Sequence, residues 1–171
     1  MDIEQLGKLY TGTIPFVMAR CRESGGFGAP KPEATTSAVS LIYHGGKLMS
    51  LGEFGYPYLI DPSDLSTQGT FNYEGALTGN MTAHPRIDPD TGELLFFGYN
   101  VMKPYLTYMR ADASGKMLQV EPIELTGPSM VHDFAVTKNY VVFMEMPVRF
   151  SWMLAITARA TSCWYGLSIF F

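Results

Sequence analysis

Positive charge is scarce in this chain. Twelve Lys and Arg stand against sixteen Asp and Glu, a formal net charge of -4. The phosphates of a nucleic acid are held by clustered Lys and Arg, and no such cluster is present, so nucleic acid is excluded as a partner. Cysteine is rarer still. Cys21 and Cys163 lie near opposite ends and form neither a Cys-x-x-Cys pair nor a disulfide framework, which points to a reducing, cytoplasmic setting. The opening Met-Asp-Ile-Glu is acidic where a secretory leader is basic and then apolar, so no signal peptide is read there. The most apolar stretch, "WMLAITARATSCWYGLSIFF" (Trp152 to Phe171), is broken by Arg159 and small polar residues. It offers no run of about 18 apolar residues, and no transmembrane helix is expected. Also missing are a Gly-x-x-x-x-Gly-Lys phosphate loop, the strand and helix that "GGFGAP" would need to bind a dinucleotide, and any nucleophile motif around a Ser or Cys. The Asn80-Met81-Thr82 sequon has no secretory leader to make it functional.

What the chain does have is apolar surface and turns. Hydrophobic residues make up 47% of 171 positions, enough for one domain with a real core. Residues 1–34, with "ESGGFGAPKPEA", read as an irregular segment. From Thr35 onward short apolar runs alternate with turn signals at intervals of roughly ten residues, the spacing of an all-β domain of antiparallel meanders. Hairpins are expected around Gly45-Gly46, Asp61-Pro62, Asp88 to Gly92, Asp112 to Gly115 and Lys138-Asn139. The tail, 151–171, loses this punctuation.

Histidine is also sparse, with three in the chain. His84 and His132 each precede a short run, a turn and an apolar strand, and they lie 48 positions apart (132 − 84). One four-stranded propeller blade takes about 40 to 50 residues, so the two would open the same strand of successive blades and project toward one axis. Imidazoles converging from different blades suit a metal, although two do not complete a site. The alternative is that each is a hydrogen-bonded structural histidine beside a turn. His44, in "YHGGK", is assigned to the hairpin connection itself. Phe96, Phe97, Tyr99, Tyr105, Tyr108, Phe134 and Phe143 could line an apolar tunnel or simply fill a core. Strand alternation is expected to send only some of them inward. The eleven methionines are equally consistent with a pocket or a core.

Four stretches, "YHGGKLMSLGEFGYPYLIDPSDLST", "TAHPRIDPDTGELLFFGY", "PYLTY" and "MVHDFAVTKNYVVF", occur in an order that resembles the carotenoid cleavage oxygenase family, including its lignostilbene-dioxygenase-like members. The similarity covers about two thirds of the chain, from about Thr35 to Pro147. It implies a seven-bladed β-propeller, of which residues 35–150 would supply a few blades. It also implies a non-haem Fe(II) held by four histidines, with His84 matching the first ligand and His132 the second. Glu53 matches an acidic residue that accepts a hydrogen bond from a ligand histidine, although a glutamate at a strand end is as readily a solvated surface group. Asp133, adjacent to His132 on a strand, should point to the opposite face and serve backbone or solvent. The reaction implied is oxidative cleavage, by dioxygen, of a conjugated double bond in an apolar carotenoid, apocarotenoid or stilbene, giving two carbonyl products. Peripheral membrane contact is one route for uptake of such a substrate. With His44 set aside, no histidine matches the third and fourth ligands. The alternative expectation is therefore a truncated, catalytically inactive propeller fragment that acts at most as a binding module.

Overall fold

The computed structural model describes residues 37–145. The segments 1–34 and 151–171, and both cysteines, lie outside the described residues. Among the described residues ten strands form three antiparallel sheets. The first is a meander of β1 (Ser40–His44), β2 (Lys47–Leu51), β3 (Tyr58–Ile60) and β4 (Thr67–Thr70). The second repeats it with β5 (Arg86–Ile87), β6 (Leu94–Tyr99), β7 (Leu106–Ala111) and β8 (Met117–Ile123). β9 (Phe134–Val136) and β10 (Val141–Phe143) pair as a further hairpin. Successive four-stranded meanders are the blades of a β-propeller, and the chain presents two of them and the opening of a third. Among the described residues helical structure is confined to a 3-10 turn at Tyr73–Gly75, and no helix is long and apolar enough to cross a membrane.

Local chemistry accounts for the hairpins. Gly45 and Gly46 carry φ of 55° and 74° between the paired His44 and Lys47, the two left-handed positions of a type I′ turn whose twist matches its strands. The Asp88 carboxylate accepts the amides of Asp90 and Thr91, and the Asp112 carboxylate those of Ser114 and Lys116, closing the β5–β6 and β7–β8 turns.

The run Leu94–Tyr99 is buried at every residue because both faces of its sheet are covered. Leu94 and Phe96 pack with Met109 and Ala111 against Met49, Leu51 and Leu77 of the first blade and its connection. Leu95, Phe97 and Tyr99, one residue out of phase, pack with Leu106 and Tyr108 against Val131 and Phe134. Only some of the seven aromatics are fully buried, as expected, but alternation is not what selects them within β6, where both faces are covered. Phe96, Phe97, Tyr99, Tyr108 and Phe134 are all in the core, with Tyr105 and Phe143 half-buried. Each fully buried Phe contributes about 2 to 3 kcal/mol.

His44 also departs from its assignment. It is the last residue of β1 rather than part of the connection. Its ring is buried, and Nε2 donates to the Gly92 carbonyl at 3.0 Å. The tip of the first hairpin is thereby tied to the turn that enters β6. Gly45 lies so close to the β7–β8 turn that a Cβ would meet the Ser114 carbonyl oxygen at 2.7 Å.

Gly98 has a different reason to be glycine. A Cβ there would fall 1.9 Å from the backbone oxygen of Asn80, because the segment leading into the second blade crosses directly over β6. Gly98→Ala must therefore push two backbones apart, and a cost of about 3 kcal/mol or more is expected. Gly46→Ala meets nothing within 4 Å and carries only the strain of φ 74°, about 1 kcal/mol. Urea unfolding of the two variants checks the order, and equal midpoints would contradict the crossing.

Candidate metal centre

His84 and His132 each stand two residues before the first strand of a sheet, β5 and β9 respectively. The approach to His84 is pinned on several sides. The buried Thr82 hydroxyl accepts the His84 amide at 3.1 Å, the Thr82 amide donates to the Phe97 carbonyl at 2.7 Å, and the Ser40 hydroxyl donates to the Ala83 carbonyl. So held, the His84 ring meets the His132 ring with centroids 4.6 Å apart at an interplanar angle of 63°.

Glu53, two residues past β2, completes the group. Its Oε1 lies 3.4 Å from His84 Nε2 and 3.3 Å from His132 Nδ1. One potential ligand atom from each of the three residues lies within 4.8 Å of the others. Residues far apart in sequence, on three sheets or their connections, thus converge at one point, and they are the three residues singled out from the sequence.

The electrostatics of this point are unbalanced. His84 Nε2 and both Glu53 carboxylate oxygens are buried yet have no hydrogen-bond partner. The 3.3 and 3.4 Å contacts are close enough for an ion pair but lack the alignment of a hydrogen bond. Groups buried in this way cost about 1 to 3 kcal/mol each, and more when charged, unless water or an ion satisfies them. A divalent cation fits: imidazole nitrogen and carboxylate oxygen are borderline-to-hard donors that accept Fe(II), Co(II) or Zn(II). The His132 side is the open one, with its side chain 59% exposed against 18% for Glu53. Nearby, the Tyr99 hydroxyl is also buried without a partner, and burial, reinforced by the Glu53 charge, pushes the phenol above its ordinary value.

Two polar residues have roles that the sequence did not disclose. Asn80, noted only as a sequon, accepts the Gly55 amide on Oδ1 at 2.8 Å and donates from Nδ2 to the Tyr99 carbonyl at 2.7 Å. The Met81 amide adds a bond to the Gly55 carbonyl at 3.0 Å. Asn80 therefore fastens the turn that carries Glu53 to β6. Its place beside Gly79 at the crossing over Gly98 was a signal visible only with the fold in hand. Asp133 serves the backbone as expected, accepting the Phe134 amide, and it is also gripped by Arg86. Burial pushes its carboxyl up, but the Phe134 amide and the Arg86 guanidinium outweigh this and leave it below the ordinary value.

Blades stacked through β6, with two imidazoles and a carboxylate meeting where blade strands begin, define a propeller with a candidate metal site at the convergence. The chain belongs to the carotenoid cleavage oxygenase family: the family model described as RPE65, retinal pigment epithelial membrane protein, matches residues 9–165. That match extends at both ends beyond the core of about Thr35 to Pro147 that carries the resemblance. Carotenoid 9,10(9',10')-cleavage dioxygenase 1 of Arabidopsis thaliana is 44% identical over 118 residues, which is 67% of this chain and 22% of that protein. The lignostilbene dioxygenase structure of Pseudomonas brassicacearum superposes with a TM-score of 0.66 at 32% identity, covering 81% of this chain and 32% of that one. A cobalt-substituted Synechocystis apocarotenoid oxygenase gives a TM-score of 0.57 at 31% identity, covering 63% and 24%. The chain thus spans about a fifth to a third of the length of these relatives.

Asn80→Ala removes both side-chain bonds and strands the Gly55 amide and the Tyr99 carbonyl, a loss of about 2 kcal/mol. Faster hydrogen exchange at the Gly55 amide is the specific readout. Unchanged exchange there would show that Asn80 does not hold the Glu53 turn.

Proposed function

We propose that this chain carries part of the metal centre of a non-haem Fe(II)-dependent dioxygenase, which cleaves a conjugated carbon-carbon double bond of a carotenoid, apocarotenoid or stilbene into two carbonyl products. The observation that carries this reading is the convergence of His84, His132 and Glu53 around buried nitrogen and oxygen atoms that no protein group satisfies. The substrate class is supported by the carotenoid- and lignostilbene-cleaving relatives, and a bound divalent metal by the cobalt-substituted one.

In this reading His84 and His132 are ligands. Glu53 Oε1 lies 3.3 Å from Nδ1 of His132, placed to orient that ring once a metal seats it on Nε2. An orienting carboxylate of this kind fixes the tautomer and ring direction and leaves Nε2 basic for the metal. Bound Fe(II) supplies the electron chemistry by which dioxygen reacts with an alkene. Both oxygen atoms enter the products, one in each carbonyl, so the balance requires no proton and no external reductant. The protein accordingly needs no general acid or base at the site. Its tasks are to fix the ligands on stiff blades, to present an apolar alkene and to exclude water.

One observation favours the second reading, in which this chain on its own is an inactive propeller piece. The sequence has no histidine besides His44, His84 and His132, and His44 is committed to the Gly92 carbonyl. Two imidazoles bind far more weakly than four, and walls contributed by the rest of a relative's length are absent from this chain. The expected result is weak 1:1 binding of Co(II) or Fe(II), lowered at least tenfold by His84→Ala or His132→Ala and about 10- to 100-fold by Glu53→Gln. Aldehyde formation from a stilbene or an apocarotenal with Fe(II), ascorbate and oxygen should be negligible. Metal binding indifferent to all three substitutions would overturn the site. Robust turnover abolished by His84→Ala would keep the site and overturn the claim of inactivity.

A further inference from the structure

β5 and β9 belong to different sheets and share no ladder. The spacing of His84 and His132 is therefore not set by main-chain pairing, as it would be for ligands on neighbouring strands. Glu53 touches both rings but makes no well-aligned hydrogen bond to either. Core packing fixes roughly where the two openings lie, and a side-chain link between them is the remaining means of setting the distance between the rings.

We infer that Arg86 and Asp133 form a clamp that sets the separation of His84 and His132 and keeps the Asp133 carboxylate away from the metal. Arg86 lies two residues after His84, and Asp133 follows His132 directly. The guanidinium Nη2 donates to both oxygens of Asp133, at 2.8 and 2.9 Å. Nη1 reaches back to the His84 carbonyl at 3.1 Å and the Pro85 carbonyl at 3.4 Å. Asp133 Oδ1 also accepts the Phe134 amide at 2.8 Å, and the guanidinium carbon lies 5.8 Å from the centroid of the Phe134 ring. One planar side chain thus bonds the backbone that carries His84 to the residue next to His132. The fork geometry restricts both distance and angle, which a lysine ammonium cannot do. The same two bonds occupy both Asp133 oxygens. Without them a free carboxylate beside His132 could compete as a ligand and change the donor set.

As a device acting on metal ligands, the clamp rests on the proposed metal site. As a spacer of two imidazoles it does not, and the test separates the two. Only three histidines are present, so their ring protons are resolvable in a two-dimensional spectrum of the full 171-residue chain. The 4.6 Å ring separation should give a His84–His132 Overhauser contact without metal. In Arg86→Met and in Arg86→Lys this contact should weaken or vanish while the His44 signals, which report the folded blade interface, stay in place. In parallel, Co(II) affinity should fall about 10- to 100-fold in both variants, and the Co(II) visible spectrum should shift as Asp133 becomes available. Asp133→Asn should lower affinity without that shift. Retention of the ring contact in both Arg86 variants, with affinity within twofold of the parent, overturns the clamp, and absence of the contact in the parent chain does so as well. If the parent binds no Co(II) but loses the contact in the variants, the metal reading fails and the spacer stands.

Discussion

Burial of β6 on both faces is the constraint from which the rest follows. Phe96 and Phe97 point to opposite sides of one strand and are both fully enclosed. The first blade must therefore lie against one face, and Val131 and Phe134 against the other. Close packing of this kind tolerates little sliding. It determines where the chain enters β5 and β9, and so where His84 and His132 begin. Gly98 belongs to the same arrangement. The missing side chain lets residues around Asn80 lie on β6, and from there Asn80 reaches the turn that carries Glu53.

On this stiff frame the polar groups of Glu53 and His84 stand apart. A folded protein ordinarily pairs a buried carboxylate with donors, because desolvating it alone is costly. Glu53 and His84 instead leave three buried atoms without hydrogen-bond partners at one point, while the Asp88 and Asp112 carboxylates each accept two backbone amides of their turns. Where the chain needs only a turn, it satisfies the turn. Where the two blades and the β9–β10 hairpin meet, His84, His132 and Glu53 bring one potential ligand atom each within 4.8 Å of one another.

How much of this could be read from residues depends on the range of each interaction. The hairpins were legible because their chemistry is local: two glycines in sequence at Gly45-Gly46, an aspartate followed by small residues at Asp112. The repeat of a histidine before a short strand was legible as a period. That Glu53 would join His84 and His132 followed only from the family resemblance, since no local feature links β2 to the openings of β5 and β9. Asn80 and Arg86 were missed for the same reason. Each acts through contacts with distant backbone or with another blade, and by composition each is an ordinary loop or strand residue. His44 was misplaced by one position. It ends the strand instead of entering the turn, and that single step puts its ring inside, on the Gly92 carbonyl.

The claim that His84 and His132 share one metal ion is tested most directly by X-ray absorption at the iron edge on the anaerobic chain loaded with one equivalent of Fe(II). The account predicts a first shell of nitrogen and oxygen with outer scattering from two imidazole rings, falling to one ring in either single His→Ala variant. A shell of oxygen donors with no imidazole scattering, or a two-ring signal unchanged by both substitutions, would contradict it.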